Sequence, residues 1–102
     1  MKIRLKSTRL EMTEAISNYF QEKMNMLEKY LGDVQVLNCD CEIEKIGGEQ
    51  KKGKVFRAEV NLEVPGALLR VDKEAADLYK AIDKVKDHLV LVIKKHKEKK
   101  NS

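Results

Sequence analysis

Apolar residues recur along this chain in two rhythms, a period of two and a period near 3.6, and the switching between them predicts the order of elements. Lys2, Arg4 and Lys6 alternate with Ile3 and Leu5, the pattern of a strand with one buried face over Lys2 to Lys6. Thr13 can cap a helix reaching about Leu31, in which Ile16, Tyr19, Phe20, Met24, Leu27, Tyr30 and Leu31 keep to one side and Gly32 supplies the stop. Lys29 lies opposite that stripe. Lys23 falls within its span, so its ammonium must reach past Tyr19 or Ile16 to water or a partner.

The period then changes to two. Val34 to Ile46 reads as a strand with Leu37, Cys39, Cys41 and Ile43 in one phase; Val34 and Val36 are out of phase, which allows a bulge near Leu37. A polar turn runs from Gly47 to Gly53, after which Phe56, Ala58, Val60, Leu62 and Val64 alternate with Arg57, Glu59, Asn61 and Glu63. Pro65-Gly66 is a tight-turn dipeptide, Leu69 and Val71 make a short last strand, and Asp72 is placed to cap a long helix running to Ser102. In that helix Ala75, Leu78, Tyr79, Ile82, Val85, Leu89, Val92, Ile93 and His96 form the stripe that should face the core. Lys80, Lys84, Leu91 and Lys95 fall on the opposite side, with His88 on its flank.

The order is strand, helix, three strands, helix, an α+β arrangement. A crossover through the first helix makes the first two strands parallel neighbours, and short turns make the last three an antiparallel meander. The result is a four-stranded sheet with both helices on one face. No repeat or linker interrupts residues 1–102, so one domain is expected, long enough to fold without metal or disulfide staples.

Charge changes the picture at one end. From Lys84 onward there are seven lysines against Asp87 and Glu98, a local charge of +5, while everything before is close to neutral. The net +4 and the pI near 9.0 are therefore properties of the last helix. Such a block is either a solvated tail or a docking surface for phosphate or anionic lipid, and nucleic acid is the leading class of partner. No apolar run approaches the roughly 18 residues needed to span a bilayer, and Lys2, Arg4 and Lys6 interrupt the N-terminal segment, so a cytoplasmic protein without a membrane partner is expected. Cys39 and Cys41, two apart in a strand, should point the same way as buried thiols; a disulfide between them would be strained.

Chemistry of a catalytic kind has no seat in this sequence. It holds no Gly-rich phosphate loop and no nucleophile elbow, and His88 and His96 lie eight apart without a partner at zinc spacing, so neither enzyme activity, a metal, a cofactor nor a small-molecule substrate is expected. Asp77 and Asp83, about 120° apart around a helix, read as solvated positions. Base stacking on the open sheet is disfavoured, because Phe56 is in the inward phase and the outward residues carry no ring. Phosphate contact from helix lysines remains, and Lys23, Lys84, Lys94, Lys95 and Lys97 fit it.

Three stretches, MTEAISNYFQEKMNMLEKY (12–30), DLYKAID (77–83) and KKHK (94–97), in this order and at these separations, resemble the ribosome hibernation promoting factors, also called ribosomal subunit interface or ribosome-associated inhibitor proteins. The resemblance runs from about Lys2 to Lys97. It implies a fold like that of double-stranded RNA-binding domains and a non-catalytic role: binding the small ribosomal subunit and its rRNA in the channel used by messenger and transfer RNA, and inhibiting translation in stationary phase or stress. It implies a chain that is monomeric away from the ribosome. By position Lys23, Lys95 and Lys97 match cationic places in the family and Lys29 matches some members; Lys84 is placed by helix geometry alone. His88 and Leu91 stand where the family usually has Lys and Arg, and His88 is counted with Lys23, Lys29, Lys84, Lys94, Lys95 and Lys97 among the expected RNA contacts. The sequence carries neither an acidic extension nor a second domain and so resembles the short form, or a piece of a long one. A general double-stranded RNA-binding module and a sigma-factor-binding modulator of transcription are the alternatives.

Overall fold

The computed structural model describes residues 1–47, 53 and 55–100. Its elements are β1 (Arg4–Thr8), α1 (Glu14–Asn25), α2 (Glu28–Leu31), β2 (Asn38–Lys45), β3 (Phe56–Val64), β4 (Ala67–Ala75) and α3 (Leu78–Lys100). The strands form one sheet in the order β1-β2-β3-β4. β1 runs parallel to β2, from Arg4↔Asp40 to Thr8↔Glu44, and the other two pairings are antiparallel, as the element order predicts. The helices cover one face. Phe20, Met24, Leu27 and Leu31 meet Ile82, Val85, Leu89 and Ile93 there, over a floor of Cys39, Cys41, Ile43, Val60, Leu62 and Val64.

Boundaries moved where tertiary pairing decides them. β1 lies two residues later than its alternation suggests, pairing with β2 from Arg4↔Asp40 to Thr8↔Glu44. Val34 and Val36 are half-buried in the segment leading into β2, and the phase change that allowed a bulge is spent before the strand begins. Leu37 is consequently 45% exposed instead of sharing the phase of Cys39, although its N–H still bonds to the Glu63 carbonyl at 2.8 Å. The predicted turn from Gly47 to Gly53 falls mostly outside the described residues.

β4 is the larger correction. Strand β3 offers nine residues and β4 uses all of them, ending at Phe56↔Ala75, so Asp72 is a strand residue opposite Glu59 and not a helix cap. The cap is Asp77, whose Oδ1 accepts from the Tyr79 N–H at 2.7 Å. Between β3 and β4 the turn needs only Pro65 and Gly66, the latter at φ +82°, a conformation that glycine adopts without penalty. Ala75 is buried, but as the last residue of β4; Ala81 takes a place in the helix stripe, and Tyr79 is 38% exposed.

The first helix also departs from its pattern. One continuous helix to Leu31 gives way to two pieces, because the Leu27 N–H turns to the Met24 carbonyl three residues back, at 3.0 Å, in a tight 3₁₀-type turn. Neither glycine nor proline marks the break, and Met24, Leu27 and Leu31 stay buried across it. Gly32, at φ +58°, ends the second piece as expected.

Candidate nucleic-acid interface

Because α3 buries Leu78, Ala81, Ile82, Val85, Leu89 and Ile93, the opposite side of its cylinder must face outward, and Lys80, Lys84, His88, Leu91 and Lys95 follow one another there at helical spacing. All five are exposed, Leu91 by 62%. The Lys84 ammonium donates to the Glu74 carbonyl at 3.2 Å, which anchors it near the start of the helix. His88 and Lys95 have no hydrogen bond or ion pair among the described residues. The row is a line of donors interrupted by one aliphatic side chain.

At the far end of α3 a second group forms around Tyr30. The ammonium of Lys29 stands 5.2 Å from the ring centroid and that of Lys94 5.3 Å, while Lys97 donates to the Tyr30 carbonyl at 3.1 Å. Each cation over a ring face gains about 0.5–1 kcal/mol at an exposed site, enough to bias the side chain's position without removing its charge. Three lysines from two elements thus converge on one aromatic residue.

Lys23 is placed differently. Its side chain is only 21% exposed, its ammonium lies 3.3 Å from Asp83 Oδ1 and 5.2 Å from the Tyr19 centroid, and the Tyr19 hydroxyl donates to the same Asp83 oxygen at 2.6 Å. The hydrogen bond to Asp83 pushes the Tyr19 pKa up. Burial disfavours the Lys23 ammonium, but Asp83 outweighs it and holds its pKa above the ordinary value. Tyr19 also meets Tyr79 edge to face, centroids 4.7 Å apart. This group ties α1 to α3. Asp77 and Asp83, expected as solvated positions, are a helix cap and the acceptor of this seam.

The other face of the sheet has the opposite sign. Register places Asp40, Glu42, Glu44, Glu59, Glu63, Asp72 and Glu74 outward against Arg4, Lys6, Arg57 and Arg70. Arg57 contacts Glu44, Glu59 and Asp72, Arg70 reaches Glu59, and Arg4 pairs with Asp40. Its three arginines are thus taken up by carboxylates. Among the described residues no three His, Cys, Asp or Glu side chains are grouped to hold a metal ion, and no helix is long and apolar enough to cross a membrane.

Of the residues singled out in the sequence, then, Lys84, His88 and Lys95 share the outer row, Lys29, Lys94 and Lys97 share the Tyr30 cluster, and Lys23 stands apart in the helix seam. Tyr30 and Asp83 went unrecognised as organising residues. No local signal announces either, since each acts on a side chain more than 60 residues away.

The chain is thus an α+β domain with a cationic helical layer on one face of its sheet and an acidic open face on the other. Residues 3–101 match the family model described as sigma 54 modulation protein / S30EA ribosomal protein, and the chain belongs to that family. It is 31% identical over 99 residues to the ribosome hibernation promoting factor of Azotobacter vinelandii, covering 97% of this chain and 85% of the relative. It is 30% identical over 93 residues to the ribosome hibernation promotion factor of Deinococcus radiodurans, covering 91% of this chain but only 47% of that longer relative. The crystal structure of the N-terminal domain of Thermus thermophilus Protein Y superposes with a TM-score of 0.79 at 35% identity, over 94% of this chain and 99% of that one.

Proposed function

We propose that this chain is a ribosome hibernation factor, which binds the small ribosomal subunit through rRNA phosphates in the path of messenger and transfer RNA and so keeps translation idle in stationary phase or stress. The observation that carries the reading is the sidedness of charge. The outer row of α3 and the Tyr30 cluster present Lys29, Lys84, Lys94, Lys95 and Lys97 on the helical layer, whereas the open sheet face is net acidic and repels phosphate. The names of the relatives support the ribosome as partner. Sedimentation with purified small subunits tests it: co-migration at low salt and loss at high salt are expected, and a chain that stays at the top of the gradient at low salt would sink the proposal.

Lysine contacts to phosphate read backbone shape more than sequence, which also favours a general double-stranded RNA-binding module. Competition decides between the two. A plain duplex that displaces the chain from ribosomes at equal concentration of binding sites supports the general module; retention on ribosomes supports hibernation. A sigma-factor partner predicts retention on polymerase in a pull-down, and none is expected.

A further inference from the structure

Cys39 and Cys41 are free thiols on the core-facing side of β2, 2% and 4% exposed, with their sulfurs 3.7 Å apart. The ribosome-binding surface makes no use of them. Cys39 also lines a cleft of about 550 Å³, together with Leu31, Val34 and Val36 and, at its polar side, Lys2 and Asn38. We propose that this pair is a two-sulfur capture site for a monosubstituted trivalent arsenical, with the substituent lodged in the cleft.

Geometry selects the ligand class. A direct disulfide has a length of about 2.05 Å, so closing one here would pull the sulfurs together by well over an ångström in a strand paired on both sides. Two sulfurs bound to one centre through bonds of about 2.3 Å lie roughly 3.8 Å apart at a tetrahedral angle and roughly 3.3 Å apart at the near-right angle of pyramidal arsenic(III), so bridging needs the sulfurs to approach by only a few tenths of an ångström. Zinc would fit that spacing but takes four ligands in a closed site, and no third donor is grouped with the thiols among the described residues. Arsenic(III) carrying one carbon substituent is satisfied by two sulfurs.

The proton arrangement helps. The Cys41 thiol lowers the pKa of Cys39 by hydrogen bonding, and the same contact together with burial pushes Cys41 up, so Cys39, the thiol beside the cleft, is the one that ionises first. In the reaction R–As=O takes up both thiols: two As–S bonds form, the As–O bonds break, and the oxygen leaves as water with the two thiol protons. No oxidation state changes.

The test uses the folded chain and phenylarsine oxide, read by intact mass. One phenylarsenic unit per chain, with loss of one water, is expected; it should resist excess monothiol and come off with a dithiol such as dimercaptopropanol. Cys39→Ser and Cys41→Ser should each lose the monothiol-resistant adduct while keeping the far-ultraviolet circular dichroism of the parent. Uptake confined to urea-unfolded chain, an adduct formed only with loss of the native spectrum, or an undiminished adduct in either folded serine variant would overturn the proposal.

Discussion

Glu59 shows how one carboxylate can be worth more than its place on an open sheet suggests. Burial works against its ionisation, but the Asn61 amide and the guanidinium groups of Arg57 and Arg70 outweigh that and hold its carboxyl below the usual range. Since the folded pKa is depressed, the stabilisation is present in full above the unfolded value of about 4.3 and is lost as pH falls through the folded value. Glu59→Gln should therefore have a lower melting temperature than the parent at pH 7, with the gap closing on acidification into the carboxylate range. A gap that stays constant from neutral to acid pH would show that the side chain contributes by packing alone. At this scale the sequence was least legible: alternation identified Glu59 as an outward residue, yet its partner Arg70 comes from β4, and only the register Asn61↔Arg70 brings that guanidinium within reach.

Among the elements, β3 and α3 were the most legible, for different reasons. β3 has neighbours on both sides and one buried face, so its alternation is uninterrupted from Phe56 to Val64. α3 packs one side against β3, β4 and the first helical segment, which fixes a stripe at Leu78, Ile82, Val85, Leu89 and Ile93. Its start was not legible, because Asp72 and Asp77 are both capping residues by type, and only the length of β3 decides between them. Asp77 accepts from the Tyr79 N–H and more weakly from the Lys80 N–H, two of the donors a helix start leaves unpaired. Asp77→Ala should cost about 1 kcal/mol, within the usual range of roughly 0.5–2 for a lost cap, whereas Asp72→Ala should leave helix content unchanged. Urea melts followed at 222 nm measure both. The reverse ranking would restore Asp72 as the cap. The break between α1 and α2 was hidden for another reason: the apolar spacing of Phe20, Met24, Leu27 and Leu31 suits an unbroken helix and a broken one equally, and neither carries a glycine or proline there.

For the molecule as a whole, the arrangement of charge matters more than its sum. A chain of net +4 with the same charges scattered would attract polyanions weakly from every side; here the outward sheet face is net acidic and the helical layer keeps its lysines. That the surplus belongs to the last helix was readable directly. That Lys23 does not share it was not, because its ion pair with Asp83 depends on how α1 lies against α3. If Lys29, Lys84, Lys94, Lys95 and Lys97 each neutralise one phosphate, log affinity for RNA should fall against log salt with a slope of about −3.5 to −4.5, taking roughly 0.7–0.9 per contact. Changing Lys84 and Lys95 together to Ala should flatten the slope by about 1.4–1.8, since each removes one contact. Both side chains are exposed, so the helical signal should survive. Changing Lys23 to Ala should act the other way round, loosening the seam of Tyr19 and Asp83 and lowering the melting temperature while leaving the slope nearly unchanged. Filter binding across a salt series separates these outcomes. A double variant that keeps the parent slope would remove Lys84 and Lys95 from the RNA surface, and a Lys23 variant that flattens the slope by a full contact would show that its ammonium leaves Asp83 for phosphate on binding.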